Sequence, residues 1–219
     1  MINVLWDLDG TLVDSMPVIT HCMNRTIEHF GMKPWPVEEL RQFVGPGLTH
    51  TMAVLLNTDD QQRIASATEY YRTIYAEQMS DSPVFDGVEQ VLKHFKETGV
   101  RQFLATAKYQ GLAIEIIEAA GLTGYFTELY GSMKDGTLSD KKQLLAKIIA
   151  EEGIEPGHSI MIGDTHYDIE AGCHNGLTTI GVLWGYSNEE RLKEAGAHYC
   201  ASRAEELTDL VKTAMTCNC

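Results

Sequence analysis

Four short apolar runs, each stopping at a small polar or acidic residue, constrain this 219-residue chain more than any other feature. Residues 2–6 run into Asp7, 102–105 into Thr106, 159–162 into Gly163-Asp164, and 178–183 end near Trp184-Gly185. Runs this short and this apolar suit strands buried on both faces, as in a parallel sheet. Between them, apolar residues recur at helical spacing: Val88, Val91, Leu92 and Phe95 before Gly99; Leu112, Ile116, Ile117 and Ala120 before Gly121; Leu144, Leu145, Ile148 and Ile149 before Gly153. A glycine just past each stretch is placed to end a helix. Strands alternating with helices of this length give an α/β fold with a doubly wound, Rossmann-like parallel sheet.

Residues 15–83 break the alternation. The spacing predicts helices only, over 16–30, 37–43, 48–56 and 61–79, separated by turn signals at Lys33-Pro34-Trp35-Pro36, Gly45-Pro46-Gly47 and Asn57-Thr58-Asp59-Asp60. The expected organisation is an α/β core from residues 1–14 and 84–219 carrying a helical insert, 15–83. An insert that follows the first strand stands over the carboxyl ends of the strands, where open α/β sheets bind ligands.

A formal net charge of −14 opposes binding to a polyanion or an anionic membrane surface, so neither nucleic acid nor membrane is an expected partner. A small anionic substrate remains compatible, because a pocket can be locally cationic. No apolar run approaches the roughly 20 residues that span a bilayer. Met1-Ile2-Asn3-Val4 lacks a basic n-region. Five scattered cysteines in a chain this large fit a reducing cytoplasm, and Cys217-Asn218-Cys219 reads as a frayed end. Nothing in the pattern sets an oligomeric state.

The densest chemistry is Asp7-Leu8-Asp9-Gly10-Thr11-Leu12-Val13-Asp14. Asp7 and Asp9, one residue apart at a strand end, can turn both carboxylates to one side. So close, they repel unless a cation or proton intervenes. Taken alone, the pair fits a solvated acidic turn equally well. Gly163-Asp164-Thr165-His166-Tyr167-Asp168 ends a second buried strand with two more acids. Oxygen ligands without clustered His or Cys suit Mg²⁺ rather than zinc. A divalent cation with no nitrogen ligands points to phosphoryl chemistry, which needs counter-charge and groups that hold phosphate oxygens. Thr106 offers a hydroxyl beside the backbone N–H of Ala107, and Lys141 and Lys142 open a helix after Ser139-Asp140. Each lysine taken singly also fits a solvated helix face. A carboxylate can itself attack phosphorus while a neighbouring acid handles the leaving group's proton, and Asp7 and Asp9 fit that division.

In their order, Asp7-Leu8-Asp9-Gly10-Thr11-Leu12, Thr106, Lys141 and Gly163-Asp164 with Asp168 resemble the four motifs of the haloacid dehalogenase-like hydrolases. The insert is similar to that superfamily's alpha-helical cap. Val44-Gly45-Pro46-Gly47, Phe85-Asp86-Gly87-Val88 and Gly181-Val182-Leu183-Trp184-Gly185-Tyr186 resemble the phosphoglycolate phosphatase-like branch. The resemblance implies a Mg²⁺-dependent phosphatase of a small phosphorylated metabolite. It implies Asp7 as nucleophile, Asp9 as general acid/base, and Asp7, the carbonyl of Asp9 and Asp164 as metal ligands. Thr106, the N–H of Ala107 and Lys141 would hold the phosphoryl oxygens, with Asp168 orienting the lysine or a metal-bound water. Lys141 is preferred to Lys142 for its spacing to Leu144-Leu145. Ala107 departs from the Ser or Asn common in relatives, so one side-chain hydrogen bond is missing.

Asp9 argues against halide displacement, which needs no proton donor. Phosphonate cleavage through a Schiff base would require Lys33, the one lysine between Ser15 and Ser82, to reach the pocket. A phosphosugar mutase shares the nucleophile and acid, and a catalytically silent binding member keeps the fold; both remain as alternatives. Arg25, Arg41, His50 and Arg72 are candidates to read the substrate's organic end.

Overall fold

The computed structural model describes residues 2–44 and 47–216. Gly45 and Pro46 of the insert motif, and Cys217-Asn218-Cys219, lie outside the described residues. Six parallel strands form one sheet: β1 (Asn3–Trp6), β2 (Arg101–Tyr109), β3 (Glu128–Ser132), β4 (Ser159–Gly163), β5 (Thr178–Val182) and β6 (Tyr199–Ala201). Their order is β3-β2-β1-β4-β5-β6. The chain winds outward from β1 in one direction and then in the other, so the order reverses between β1 and β4. Beyond that reversal the loops diverge and leave a crevice at the carboxyl ends of the strands.

The period of two along a strand sorts the core into two layers. Val4 and Trp6 of β1, Leu104 of β2, and Ile160 and Ile162 of β4 face one side. There they pack with α5 (Val88–Glu97), α6 (Gln110–Ala119) and α10 (Glu206–Thr216). Leu5, Phe103, Ala105 and Met161 face the other side and meet α7 (Lys141–Glu152) and α8 (His166–His174). A short helix, α9 (Glu189–Glu194), precedes β6. The doubly wound parallel sheet expected from the apolar runs is present.

Two strands of the six lacked a sequence signal. β3 and β6 are the sheet's edges, and an edge strand is covered on fewer sides, so it does not need a continuous apolar run. Glu128 at the start of β3 is exposed, and β6 is only three residues long. β2 also runs further than the apolar segment suggested, carrying Thr106, Ala107 and Lys108 within the strand.

Between β1 and α5 the chain is helical: α1 (Met16–His29), α2 (Val37–Leu40), α3 (Leu48–Leu55) and α4 (Gln61–Ala76). The expected second helix is one α-helical turn continued by a 3-10 turn, Arg41–Phe43. The expected fourth stops at Ala76, before a 3-10 turn at Met79–Asp81. Pro17 opens α1, where its missing N–H costs nothing, and Asp60 caps α4 by accepting from the N–H groups of Gln62 and Arg63. The two connections to the helical block lie side by side. Asp14 N–H donates to Pro83 O at 2.8 Å, and Phe85 N–H to Leu12 O at 3.0 Å. Among the described residues no helix is long and apolar enough to cross a membrane.

Candidate active site

β1 delivers Asp7 to the crevice, its backbone N–H donating to Ile162 O of β4 at 2.9 Å. The chain then turns sharply through Gly10, whose φ of +82° belongs to the left-handed region. A side chain there would also collide with Asp164: a Cβ would stand 2.3 Å from its Oδ2. Asp164 leaves the neighbouring strand β4, fully buried. It accepts from the Tyr186 N–H at 2.8 Å and the Thr11 hydroxyl at 3.3 Å. The turn after β1 and the loop after β5 thus fix one carboxylate beside another.

Lys141, the first residue of α7, is buried, with its Nζ 2.7 Å from Asp7 Oδ1 and hydrogen-bonded to Asp168 Oδ1. Asp168 is held in turn by the capping box that starts α8, accepting from the Thr165 N–H at 2.9 Å and hydroxyl at 2.7 Å. One ammonium therefore bridges two carboxylates, one at the end of β1 and one in the first turn of α8. Lys142 turns outward to Glu170, 3.5 Å away. Thr106 is buried within β2, its hydroxyl accepting from the Lys108 N–H at 3.2 Å, and it lines one cavity together with Ala107.

Asp7, Asp164 and Asp168 bring one carboxylate oxygen each within 4.8 Å of one another. Asp9 stands apart from that cluster: its carboxylate accepts from Lys108 Nζ at 2.8 Å and from the Ser15 hydroxyl. The crowding shifts proton affinities. Burial, then the charge of Asp168, pushes Asp7 up to about 7 against the pull of Lys141. Burial, then Asp168 and Asp7, holds Asp164 well above the usual carboxylate range. Burial alone would lower Lys141, but Asp168 and Asp7 keep it above its ordinary value, and it stays charged. Three buried carboxylates thus share one ammonium, a deficit of positive charge that a hard divalent cation would fill.

Above these groups opens a cavity of about 610 Å³, walled by Ile19, Met23, Leu48 and Ile64 of the helices and by Tyr71, Arg72 and His50. Arg72 donates to Lys134 O at 2.8 Å and lies over the Tyr109 ring, and its buried Nε–H has no acceptor among the described residues. Of the four insert residues proposed to read substrate, His50 and Arg72 line this cavity. Arg25 does not, and Arg41 lines a separate one with Asp14 and Trp184. Lys33 is exposed and lines neither, which removes the geometric support for Schiff-base chemistry.

Sequence reasoning passed over Lys108, Ser15 and Tyr75. Lys108 Nζ bonds the Tyr75 hydroxyl at 2.7 Å as well as Asp9, so β2 and α4 meet at this one ammonium. A signal did exist for Lys108: it stands two residues after Thr106, the same-face spacing along a strand. Tyr186 is another: its phenol oxygen accepts from the N–H groups of Ser15 and Met16, both at 2.9 Å, where α1 begins.

Comparison with known proteins places these features in a family. The sequence profile of the haloacid dehalogenase-like hydrolases matches residues 4–182. The 5'-nucleotidase of Pseudomonas aeruginosa is 30% identical over 203 residues, covering 92% of each chain. A phosphoglycolate phosphatase of Chromobacterium violaceum is 30% identical over 219 residues, covering 95% of this chain and 96% of the relative. A crystal structure described as a "predicted phosphatase" from Clostridium acetobutylicum superposes with a TM-score of 0.91 at 34% identity, covering 97% of this chain and 98% of the other.

Proposed function

The chain belongs to the haloacid dehalogenase-like hydrolase family, in its phosphoglycolate phosphatase-like branch, and from that premise we propose that it hydrolyses a small phosphate monoester through an aspartyl-phosphate on Asp7. The observation that carries this reading is Lys141 Nζ, pinned between Asp7 and Asp168 at the floor of the cavity. A nucleophilic carboxylate needs a fixed cation where phosphoryl charge arrives and redistributes. Asp7 Oδ attacks phosphorus in line and the ester P–O bond breaks. Asp9 gives a proton to the departing alkoxide, then takes one from the water that cleaves the intermediate to phosphate and restores Asp7. Lys141, the Thr106 hydroxyl and the Ala107 N–H hold the transferring oxygens, and Asp168 keeps Lys141 in place.

The oxygen-rich, charge-deficient cluster fits Mg²⁺. Asp7, the backbone carbonyl of Asp9 and Asp164 would hold it; when bound it supplies the counter-charge that lets an anionic carboxylate meet an anionic phosphate. Chelator should abolish turnover and Mg²⁺ restore it, and Asp164→Asn should remain folded but inactive. Stability adds an independent readout. The folded-state pKa values of Asp7 and Asp164 lie above their unfolded values. Their contribution is therefore full below pH 3.8 and lost as pH rises through the raised folded-state values, about 7 for Asp7. Metal-free protein should accordingly melt lower at pH 8 than at pH 5.5, with Mg²⁺ restoring the loss at pH 8 in wild type and not in Asp164→Asn. Full turnover in excess chelator, or a melting temperature indifferent to Mg²⁺, would remove the metal from this scheme.

Residues 15–83 form the cap in this reading. It excludes water from the phosphoryl site and shapes the space for the organic part of the substrate. That space, about 610 Å³ with walls that mix apolar and polar side chains, exceeds what a two-carbon acid phosphate fills and accommodates a group of nucleoside size. Against a panel of esters, nucleoside monophosphates should give higher kcat/KM than phosphoglycolate, with inorganic phosphate as the product rather than a rearranged sugar phosphate. Arg72→Met should reorder the panel and leave 4-nitrophenyl phosphate nearly unchanged. Losses of equal size on every ester would mean that Arg72 only supports the fold. An inactive protein in Mg²⁺ would instead favour a binding role.

A further inference from the structure

We propose that Lys108 is a positioning residue, holding the Asp9 carboxylate for proton exchange with the leaving group and linking its orientation to the docking of α4. The inference rests on the reading of Asp9 as general acid and goes beyond it to what aims that acid.

Asp9 stands just before the turn through Gly10, and on its own a side chain there would sample several rotamers. Two donors restrain it, and both reach the same oxygen: Ser15 Oγ and Lys108 Nζ converge on Oδ1. With Oδ1 occupied twice, Oδ2 is the oxygen left to exchange a proton. The two donors come from different parts of the chain. Ser15 sits where the block of helices begins, and Lys108 sits on β2, the strand paired with β1.

Lys108 is itself fixed. Its side chain is 10% exposed, and its ammonium lies 2.7 Å from the Tyr75 hydroxyl and 4.3 Å from the centre of the Tyr75 ring. Tyr75 is fully buried in α4 and stacks on Tyr71 at 5.5 Å between ring centres. A long, flexible lysine would ordinarily lose orientation to rotamer entropy, but two acceptors and a cation–π contact confine this one. The chain of contacts runs from α4 through Tyr75 and Lys108 to Asp9. Moving the helices off the core would break the first link and leave Lys108 with one anchor.

A misaimed proton donor matters in proportion to how badly the leaving group needs the proton, and displacement by about 1 Å can cost around 10²-fold. Lys108→Met keeps length and removes the charge. It should lower the first-turnover rate on an alkyl phosphate by about 10–10²-fold while barely changing 4-nitrophenyl phosphate and KM. Lys108→Arg should recover part of the loss. Tyr75→Phe, which removes only the outer anchor, should show the same pattern to a smaller degree. In the double variant Asp9→Asn/Lys108→Met, the alkyl ester should turn over no more slowly than in Asp9→Asn alone, because the group that Lys108 aims is already gone.

Additive losses in that cycle would overturn the proposal, as would a Lys108→Met loss equal on both esters or a rise in KM common to all esters. The last result would mean direct contact with phosphate. Asp9→Asn measured on the same two esters separates the failures. If it discriminates between leaving groups and Lys108→Met does not, the positioning role falls and the acid stands. If neither discriminates, both fall.

Discussion

Asp7→Asn should leave no measurable turnover on any phosphate monoester, whatever its leaving group, in a protein that stays folded. The amide has nearly the shape of the carboxylate but no anionic lone pair with which to attack phosphorus. Loss of a covalent nucleophile costs about 10⁶-fold where it has been measured in a hydrolase, equivalent to about 8 kcal/mol of transition-state stabilisation. Folding should not suffer. The structural anchor of this residue is its backbone N–H to Ile162 O, which the substitution does not touch. The side chain is buried among acids, with its proton affinity already raised by burial and by Asp168, so a neutral amide relieves repulsion at neutral pH. Lys141 retains Asp168 as partner. Acid-quenched wild type, mixed briefly with substrate, should carry a phosphoryl group on the peptide containing Asp7; the variant should carry none. Turnover within tenfold of wild type would remove Asp7 from this role.

The same physics explains which parts of the molecule could be read from the chain. Asp7 and Asp164 close strands that are buried on both faces, so an apolar run ending in an acid marks both the strand and the place where chemistry begins. Lys141 and Asp168 open helices behind recognisable caps, Asp140 and Thr165. β3 and β6 gave no such mark, because a strand with one neighbour tolerates Glu128 or a length of three residues. Residues whose role depends on a meeting across the fold were also hidden. Tyr75 looks like any aromatic on the inner stripe of a helix, and only the docking of α4 on β2 brings its hydroxyl to Lys108. Arg25, Arg41 and Arg72 look equivalent as cations on helical segments. The rotation of each helix about its axis decides which one reaches the cavity, and packing sets that rotation rather than local spacing. Which acid joins Asp7 and Asp164 in one cluster was hidden for a related reason. The carboxylate that joins Asp7 and Asp164 within 4.8 Å belongs to Asp168, while Asp9 turns to Ser15 and Lys108.

Asp9→Asn should separate the two acids of the turn, because its cost depends on the leaving group where that of Asp7→Asn does not. An alkyl phosphate departs as a strongly basic alkoxide and needs a proton as the P–O bond breaks. A 4-nitrophenyl phosphate departs as a stabilised anion that can leave unprotonated. General acid catalysis contributes about 10²–10⁴-fold, so the first turnover of the alkyl ester should slow by a factor in that range. The first turnover of the nitrophenyl ester should slow far less. Its second step should still be slow, since the same carboxylate is needed to take a proton from the attacking water. The variant should therefore release a burst of nitrophenol and then stall with phosphate covalently on Asp7. The amide can still accept a hydrogen bond from Ser15 or Lys108, so the side chain keeps its anchors and loses only the exchangeable proton. Rapid-quench measurements on both esters test this directly. Equal first-turnover losses would show that Asp9 is not the leaving-group acid, and a nitrophenyl reaction without accumulated phosphoenzyme would show that it is not the base for water.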